Sequence, residues 1–277
     1  MKVLLTGAGM VAGIVLLFFG LQTFMVIFNQ EEQLFMEQTI SEERAFSVSE
    51  ERDDLEELSI DATDGVTLHG WLRHAANDQE KQPLVIYFGG NAEEQSQAIP
   101  TFDHLSDWSV LFMNYRGYGL SEGEPGQDEL YSDAKTLFDT MSERDDINED
   151  KIVLMGRSMG TAPAVHASDV RDAKGTILIS PYDSRTRLQE HRHPYLPISS
   201  FIRHPFELSD RASDIESPLL TVIGTEDRVI PPQHSETTAE QWGGRTNIVH
   251  LEGYGHNNLQ QNNRFVSAIE TFLEELD

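Results

Sequence analysis

Three short stretches of this 277-residue chain hold residue types suited to nucleophilic chemistry, and they come in a fixed order. The first is Gly156-Arg157-Ser158-Met159-Gly160. It follows the apolar run Ile152-Val153-Leu154-Met155 and precedes a set of good helix formers, Ala162, Ala164, Val165 and Ala167. A serine on a very sharp strand-to-helix turn sits in strained backbone, and its neighbours two residues either side must be almost free of side chain. Gly156 and Gly160 meet that need, and the start of the following helix aims backbone N–H groups at an oxyanion formed beside Ser158. The second stretch, Gly224-Thr225-Glu226-Asp227-Arg228-Val229-Ile230-Pro231-Pro232, follows the run Pro218 to Ile223, so that Asp227 is placed to orient a histidine. The third is Gly253-Tyr254-Gly255-His256-Asn257-Asn258. Of the ten histidines only His256 sits in a loop just after two glycines and before the final helix. Taken singly, each stretch has a plain reading: a glycine-rich turn, a solvated carboxylate, a loop imidazole. Together, in the order Ser…Asp…His and each after a predicted strand, they point to a nucleophile, an orienting acid and a base. Asp183, after the strand ending Ile179-Ser180, is an alternative acid.

These residues need a scaffold, and the hydropathy pattern supplies one. Leu55 to Asp61 and Val66 to Leu72 alternate around the turn Thr63-Asp64-Gly65, the signal of a hairpin. Pro83 to Phe88 is a continuous apolar run, as expected of a central strand buried on both faces. Val110 to Met113, Ile152 to Met155, Thr176 to Ile179, Leu219 to Ile223 and Ile248 to Leu251 are further buried strands. Helix-length stretches lie between them: Gln127 to Met141, Thr161 to Val170, Gln233 to Gln241 and Leu259 to Leu276. Strands alternating with helices predict an α/β domain, a mostly parallel central sheet with helices on both faces. The strand ending at Phe88 runs into Gly89-Gly90-Asn91-Ala92, where backbone N–H groups can face a ligand at the sheet's carboxyl end.

Composition narrows the function. The formal net charge of −27, from 47 acidic and 20 basic residues, excludes nucleic acid as a partner, since its phosphates would be repelled. With only five lysines, the balance reads as an acid-rich surface suited to salty surroundings. The absence of cysteine excludes disulfides and a thiolate nucleophile. Val3 to Phe28 is a nearly unbroken apolar run, long enough as a helix to exceed the roughly 30 Å of bilayer hydrocarbon. A cleaved signal peptide has a shorter apolar region and a small-x-small site, which this run lacks. Residues 1–28 are therefore expected to form one uncleaved transmembrane helix. Lys2 on one side and Glu31, Glu32 and Glu37 on the other put the N-terminus in the cytoplasm and the remaining chain outside it. Residues 29–53 read as a polar, acidic tether, and residues 54–277 as the catalytic domain.

From about Leu55 onward the chain resembles the α/β-hydrolase superfamily, in its membrane-anchored branch related to serine aminopeptidases. The residues that carry the resemblance are Asp64 to Trp71 (D-G-V-T-L-H-G-W), Phe88 to Ala92 (F-G-G-N-A) and Asn114 to Pro125 (N-Y-R-G-Y-G-L-S-E-G-E-P), with G-R-S-M-G, G-T-E-D-R-V-I-P and G-Y-G-H-N-N. The resemblance implies Ser158 as nucleophile, His256 as general base and Asp227 as its orienting acid. It implies oxyanion-hole N–H groups from Asn91 and Met159. Two positions depart from the pattern: Gly89 stands where the branch has histidine, removing a side chain that helps fix the oxyanion loop, and Asn257 stands where it often has aspartate. Residues 182–217, rich in Arg, His, Pro and aromatics, are expected to form a small cap that selects the substrate. Gly117 to Gly123 misses the dinucleotide fingerprint by one residue, and His191, His193 and His204 lack a carboxylate at metal-binding spacing. The sequence therefore predicts a membrane-anchored serine hydrolase that needs no cofactor or metal. Its expected substrate is a small or lipid-like ester or thioester, uncharged or weakly charged. A peptidase and a non-catalytic binding protein are the alternatives.

Overall fold

Successive side chains of a strand point to opposite faces, so a strand covered on both sides must be apolar throughout. The computed structural model, which describes residues 2–77 and 79–276 with backbone alone for residues 2–9, 11, 12, 15, 16 and 26, is built on that rule. In chain order the helices and strands are α1 (Lys2–Phe28), α2 (Gln30–Leu34), α3 (Glu42–Glu50), β1 (Leu55–Asp61), β2 (Thr67–Arg73), β3 (Gln82–Phe88) and β4 (Ser109–Met113). There follow α4 (Gln127–Ser142), β5 (Ile147–Arg157), α5 (Thr161–Val170), β6 (Gly175–Ile179), α6 (Arg185–Arg192), α7 (Ser209–Ala212), β7 (Leu219–Gly224), α8 (Pro232–Glu240), β8 (Thr246–Leu251) and α9 (Asn263–Glu274). The strands make one sheet in the order β1-β2-β4-β3-β5-β6-β7-β8. β1, β2 and β4 pair antiparallel and all later neighbours are parallel.

The continuous apolar runs serve two cores at once. Leu84, Ile86 and Phe88 of β3 join Ile152 and Leu154 of β5 on one face, under Leu130 and Leu137 of α4 and Ala164 and Val165 of α5. Val85, Tyr87, Val153 and Met155 point the other way, under Ala45 and Val48 of α3 and Phe265, Ile269 and Phe272 of α9. The pairing of Leu84 with Ile152 and of Val85 with Val153 keeps each set in register. The β1–β2 turn needs Gly65, whose φ is +82°. Arg116 ties that turn to α4, its guanidinium lying 2.6 Å from Asp64 Oδ2 and 2.7 Å from Asp133 Oδ1. The last helix begins later than the sequence predicts: Leu259–Gln261 is a separate single turn, and Asn262 caps α9 by accepting the Arg264 N–H at 2.9 Å.

The segment from Asn29 to Asp53 corrects the expectation of a tether. It folds onto the domain. Gln30 is only 3% exposed; its amide donates to the Phe201 carbonyl at 3.1 Å, and its Oε1 accepts the Arg203 N–H at 3.0 Å. The main chain then runs along the loops at the sheet's carboxyl end, with Met36 N–H donating to the Asn91 carbonyl and Gly119 N–H to the Gln38 carbonyl. Ser41 caps α3 through the Arg44 N–H, and Trp71 Nε1 donates to Ser49 Oγ. Its apolar residues are few, but Phe35, Ala45 and Val48 are all buried, each against one of the two cores. The apolar residues are too sparse to show a helical or strand period, and Phe35 finds His204 far off in sequence. Among the fully described residues no helix is long and apolar enough to cross a membrane. Residues 3–9, 11, 12, 15, 16 and 26 of the predicted span are given by backbone alone and lie outside the fully described residues.

Candidate active site

β5 ends at Arg157 and α5 begins at Thr161, so Ser158 has to turn the chain within three residues. It does so with φ at +51°, a region where a non-glycine residue costs on the order of 1–3 kcal/mol. The flanking glycines make the turn possible. A Cβ at Gly156 would collide with the Gly160 carbonyl, and one at Gly160 with the Phe88 carbonyl of the neighbouring strand. Thr161 braces the turn by donating its hydroxyl to the Ser158 carbonyl at 2.6 Å.

Three chain segments meet at that serine. His256 Nε2 lies 3.0 Å from Ser158 Oγ, and His256 Nδ1 lies 2.7 Å from Asp227 Oδ2. The other oxygen of Asp227 accepts the Val229 and Ile230 N–H groups, each at 2.8 Å. Asp227 is 4% exposed. Burial opposes its charge, but the bonds from His256 and these two amides prevail and hold the carboxyl below its ordinary value. The three residues singled out by order and placement are thus joined in a line, His256 bonding both Ser158 and Asp227.

The loop after β3 is held without a histidine at position 89. A side chain there would run into Gln95. Glu93 does the fixing: one oxygen accepts the Tyr87 hydroxyl at 2.8 Å, and the other accepts the Gly90 N–H at 3.0 Å and Arg157 Nη1 at 2.9 Å. Tyr115 and Tyr118 donate their hydroxyls to the carbonyls of Gly89 and Asn91. Arg157 also reaches the His256 carbonyl and the side-chain oxygen of Asn257, so the β3 loop, the elbow and the histidine loop share one guanidinium. Sequence reasoning missed Glu93 and Arg157. The available signal was an arginine inside the pentapeptide beside the serine. The N–H groups of Asn91 and Met159 make no hydrogen bond among the described residues.

Two cavities flank Ser158. One, of about 330 Å³, is lined by Gly90, Asn91, Glu93, Arg157, His256 and Gln260 among others. The other, of about 190 Å³, lies toward residues 182–217, and its wall includes Met159, Tyr182, Arg185, Leu188, Arg192 and Ile230. The expected cap segment therefore supplies α6 as one wall of the second cavity.

The remaining sequence candidates lie elsewhere. Asp183 does not reach His256; its Oδ1 lies 2.7 Å from Nδ1 of a different ring, His234. His191 packs edge-on against His234, while His204 abuts Phe35, so the histidines of the cap form no cluster. Among the described residues, Glu56, His74 and Asp146 are close enough to hold a cation, but the Arg144 guanidinium already bridges Glu56 and Asp146.

The family model for serine aminopeptidase, S33, matches residues 79–191. YfhR of Salmonella typhi, itself an uncharacterized protein, is 32% identical over 199 residues, covering 65% of this chain and 67% of its own. The chain belongs to the serine aminopeptidase-like (S33) family of α/β-hydrolases. An uncharacterized protein of Mycobacterium tuberculosis is 28% identical over 224 residues, 79% of each chain. Acetyl xylan esterase 1 of Thermoanaerobacterium sp. shares the fold, with a TM-score of 0.68 at 16% identity over 84% of this α/β-hydrolase and 92% of the esterase.

Proposed function

We propose that this α/β-hydrolase is a serine hydrolase that cleaves an ester or thioester through an acyl-enzyme. The observation that carries the reading is the relay from Ser158 Oγ to His256 Nε2 (3.0 Å) and from His256 Nδ1 to Asp227 Oδ2 (2.7 Å), opening on two cavities. Ser158 Oγ attacks the carbonyl carbon while His256 Nε2 takes its proton. The Asn91 and Met159 N–H groups donate to the oxyanion, and their freedom from other partners supports that role. His256 then returns the proton to the departing alkoxide or thiolate, leaving an acyl-serine. A water deprotonated by His256 releases the acid and restores Ser158. Asp227 stays ionised throughout, consistent with its lowered pKa, and holds the imidazole in the working tautomer.

The family's peptidase name favours a second reading. An aminopeptidase must hold a charged amino terminus with carboxylates facing the site. Among the described residues lining the two cavities, Glu93 is the only acid, and it is engaged by Arg157, Tyr87 and the Gly90 N–H. That favours esters over peptides. The test is pre-steady-state hydrolysis of p-nitrophenyl acetate against alanine p-nitroanilide. The reading expects a burst of p-nitrophenol near one equivalent per chain and little release from the anilide; faster anilide cleavage would select the peptidase.

The site works, on this reading, at a membrane to which α1 anchors it, with the N-terminus cytoplasmic and the α/β domain outside. Support comes from the apolar run Val3 to Phe28 and from the exposure of Met10, Leu17, Phe18 and Phe28. Because residues 29–53 pack on the domain, the site would stand directly at the membrane surface. Extraction of the full chain from membranes by alkaline carbonate, which releases peripheral proteins, would contradict the anchor.

A further inference from the structure

In a chain with 47 acidic residues, a buried arginine ordinarily finds a carboxylate. Among the described residues three arginines are buried: Arg73, Arg116 and Arg185. Arg116 is paired with Asp64 and Asp133, and Arg73 has Asp103 at 3.8 Å. Arg185 has no carboxylate within ion-pair distance among the described residues. It is 5% exposed and lines the 190 Å³ cavity beside Ser158. Its Nη1 donates to the His204 carbonyl at 3.2 Å and weakly to Gln30 Oε1 at 3.5 Å, and its Nη2 to the Gln30 carbonyl at 3.1 Å. Those acceptors are neutral. They orient the guanidinium without cancelling its charge, and they leave its Nε–H without a hydrogen bond among the described residues.

A second arginine stands at the same cavity. Arg192, exposed at the other end of α6, donates Nη2 to the Val229 carbonyl at 2.5 Å and likewise has no carboxylate within ion-pair distance among the described residues. No acid lines this cavity among the described residues; its walls include Leu34, Met159, Leu188, Val229 and Ile230. The opposite cavity differs, because its arginine, Arg157, is already paired with Glu93. A buried guanidinium with no carboxylate in ion-pair distance, and a second, exposed one at the mouth of the same cavity next to the nucleophile, suit an anion that arrives with the substrate.

We infer that the hydrolase acts on esters carrying an anionic group, a carboxylate or a phosphate, which Arg185 and Arg192 hold in the cavity beside Ser158. This rests on the serine-hydrolase reading and revises the sequence's expectation of an uncharged or weakly charged substrate. The anion would take the open Nε–H of Arg185, whose planar fork suits an oxyanion, with Arg192 at the mouth. The apolar walls would receive the aliphatic part that joins the anion to the ester.

The test is a pair of matched comparisons by the full-length protein. One sets the mono-p-nitrophenyl ester of glutaric acid against p-nitrophenyl valerate; the other sets 1-butyrylglycerol 3-phosphate against 1-butyrylglycerol. The first arm reads a carboxylate on the acyl part and the second a phosphate on the alcohol part. In at least one arm kcat/KM should favour the anionic ester by about 10- to 100-fold, the size of one or two charge-assisted hydrogen bonds. The preference should shrink in 0.5 M NaCl. It should fall to near unity in Arg185→Gln, fall several-fold in Arg192→Gln, and be largely kept in Arg185→Lys. Should Arg185→Gln not fold, the wild-type ratio, its salt dependence and Arg192→Gln still decide. Equal rates on both members of both pairs in the wild type, or a preference untouched in the folded arginine variants, would overturn the inference. Hydrolysis within tenfold of wild type in Ser158→Ala would instead overturn the reading beneath it.

Discussion

Two aspartate–histidine pairs sit side by side at the carboxyl end of this sheet, and only one faces a serine. Asp183 follows β6 and holds His234; Asp227 follows β7 and holds His256. Both contacts are 2.7 Å to Nδ1, and both carboxylates also accept backbone N–H groups. The difference lies at the second ring nitrogen. His256 Nε2 reaches Ser158 at the edge of a cavity, whereas His234 Nε2 is buried with no hydrogen-bond partner among the described residues. An acid that orients an imidazole is therefore not in itself a catalytic device. What the far nitrogen faces decides whether the pair moves a proton or joins α8 to the strand beside it.

That contrast can be broken in several ways. Ser158→Ala removes one oxygen and should lower kcat on a short ester by about 10⁶, leaving the residual 10³–10⁴-fold over water that binding and oxyanion donors provide. Turnover within tenfold of wild type would place the nucleophile elsewhere. Asp227→Asn should lower kcat by about 10⁴ by favouring the wrong tautomer, while Asp183→Asn should stay within about tenfold. The opposite ranking would exchange the roles of the two pairs. Glu93→Gln leaves both pairs intact but frees Arg157 and weakens the grip on Gly90. A loss of about 10²-fold in kcat with little change in KM is expected, since a slight misplacement of the oxyanion donors is costly; an effect confined to KM would make Glu93 a binding residue.

The sequence revealed the pair assigned here to catalysis more readily than the other, for a physical reason. Ser158, Asp227 and His256 each follow a strand whose apolar run can be counted, and glycines mark the tight turns at Ser158 and His256. His234 lies at the start of a helix and looks like any polar surface residue until folding buries it against His191. The sheet was legible for the same reason as the triad, through the apolar runs of β3 to β7. The packing of residues 29–53 was not, because Gln30 bonds Phe201 and Arg203 more than 170 positions away and Phe35 packs on His204, while the few apolar residues of α3 show no long run. The Glu93–Arg157 link was hidden likewise: 64 positions separate the two residues.

Smaller effects sharpen the comparison. Asp183→Ala should cost about 2–3 kcal/mol of stability, the value of a buried hydrogen bond to a charged group, with kcat changed little in the protein that remains folded. Urea denaturation checks this, and a stability within 0.5 kcal/mol of wild type would deny the pair its structural role. His166 is the counter-example to both pairs, since no carboxylate bonds its ring. It stacks on Tyr131 with centroids 4.2 Å apart, and burial, aided by Arg211 and Lys135, lowers its pKa to about 4. The unfolded chain, with an ordinary value near 6.5, then binds the extra proton first as pH falls. The stability due to a neutral His166 is fully present above about pH 6.5 and is lost progressively as pH drops toward 4. Comparing wild type with His166→Phe at pH 7.5 and pH 4.5 should show the variant losing about 1–2 kcal/mol less over that interval, after allowance for solvent screening. Parallel losses would mean that His166 titrates normally.

The claim that position alone separates the two pairs is tested most directly by fluorophosphonate labelling followed by peptide mapping. The wild type should carry a single adduct, on Ser158. Asp183→Asn should label at nearly the wild-type rate and Asp227→Asn far more slowly, while Ser158→Ala should not label. An adduct on any other residue of the wild type, or labelling slowed by Asp183→Asn and indifferent to Asp227→Asn, would contradict the account.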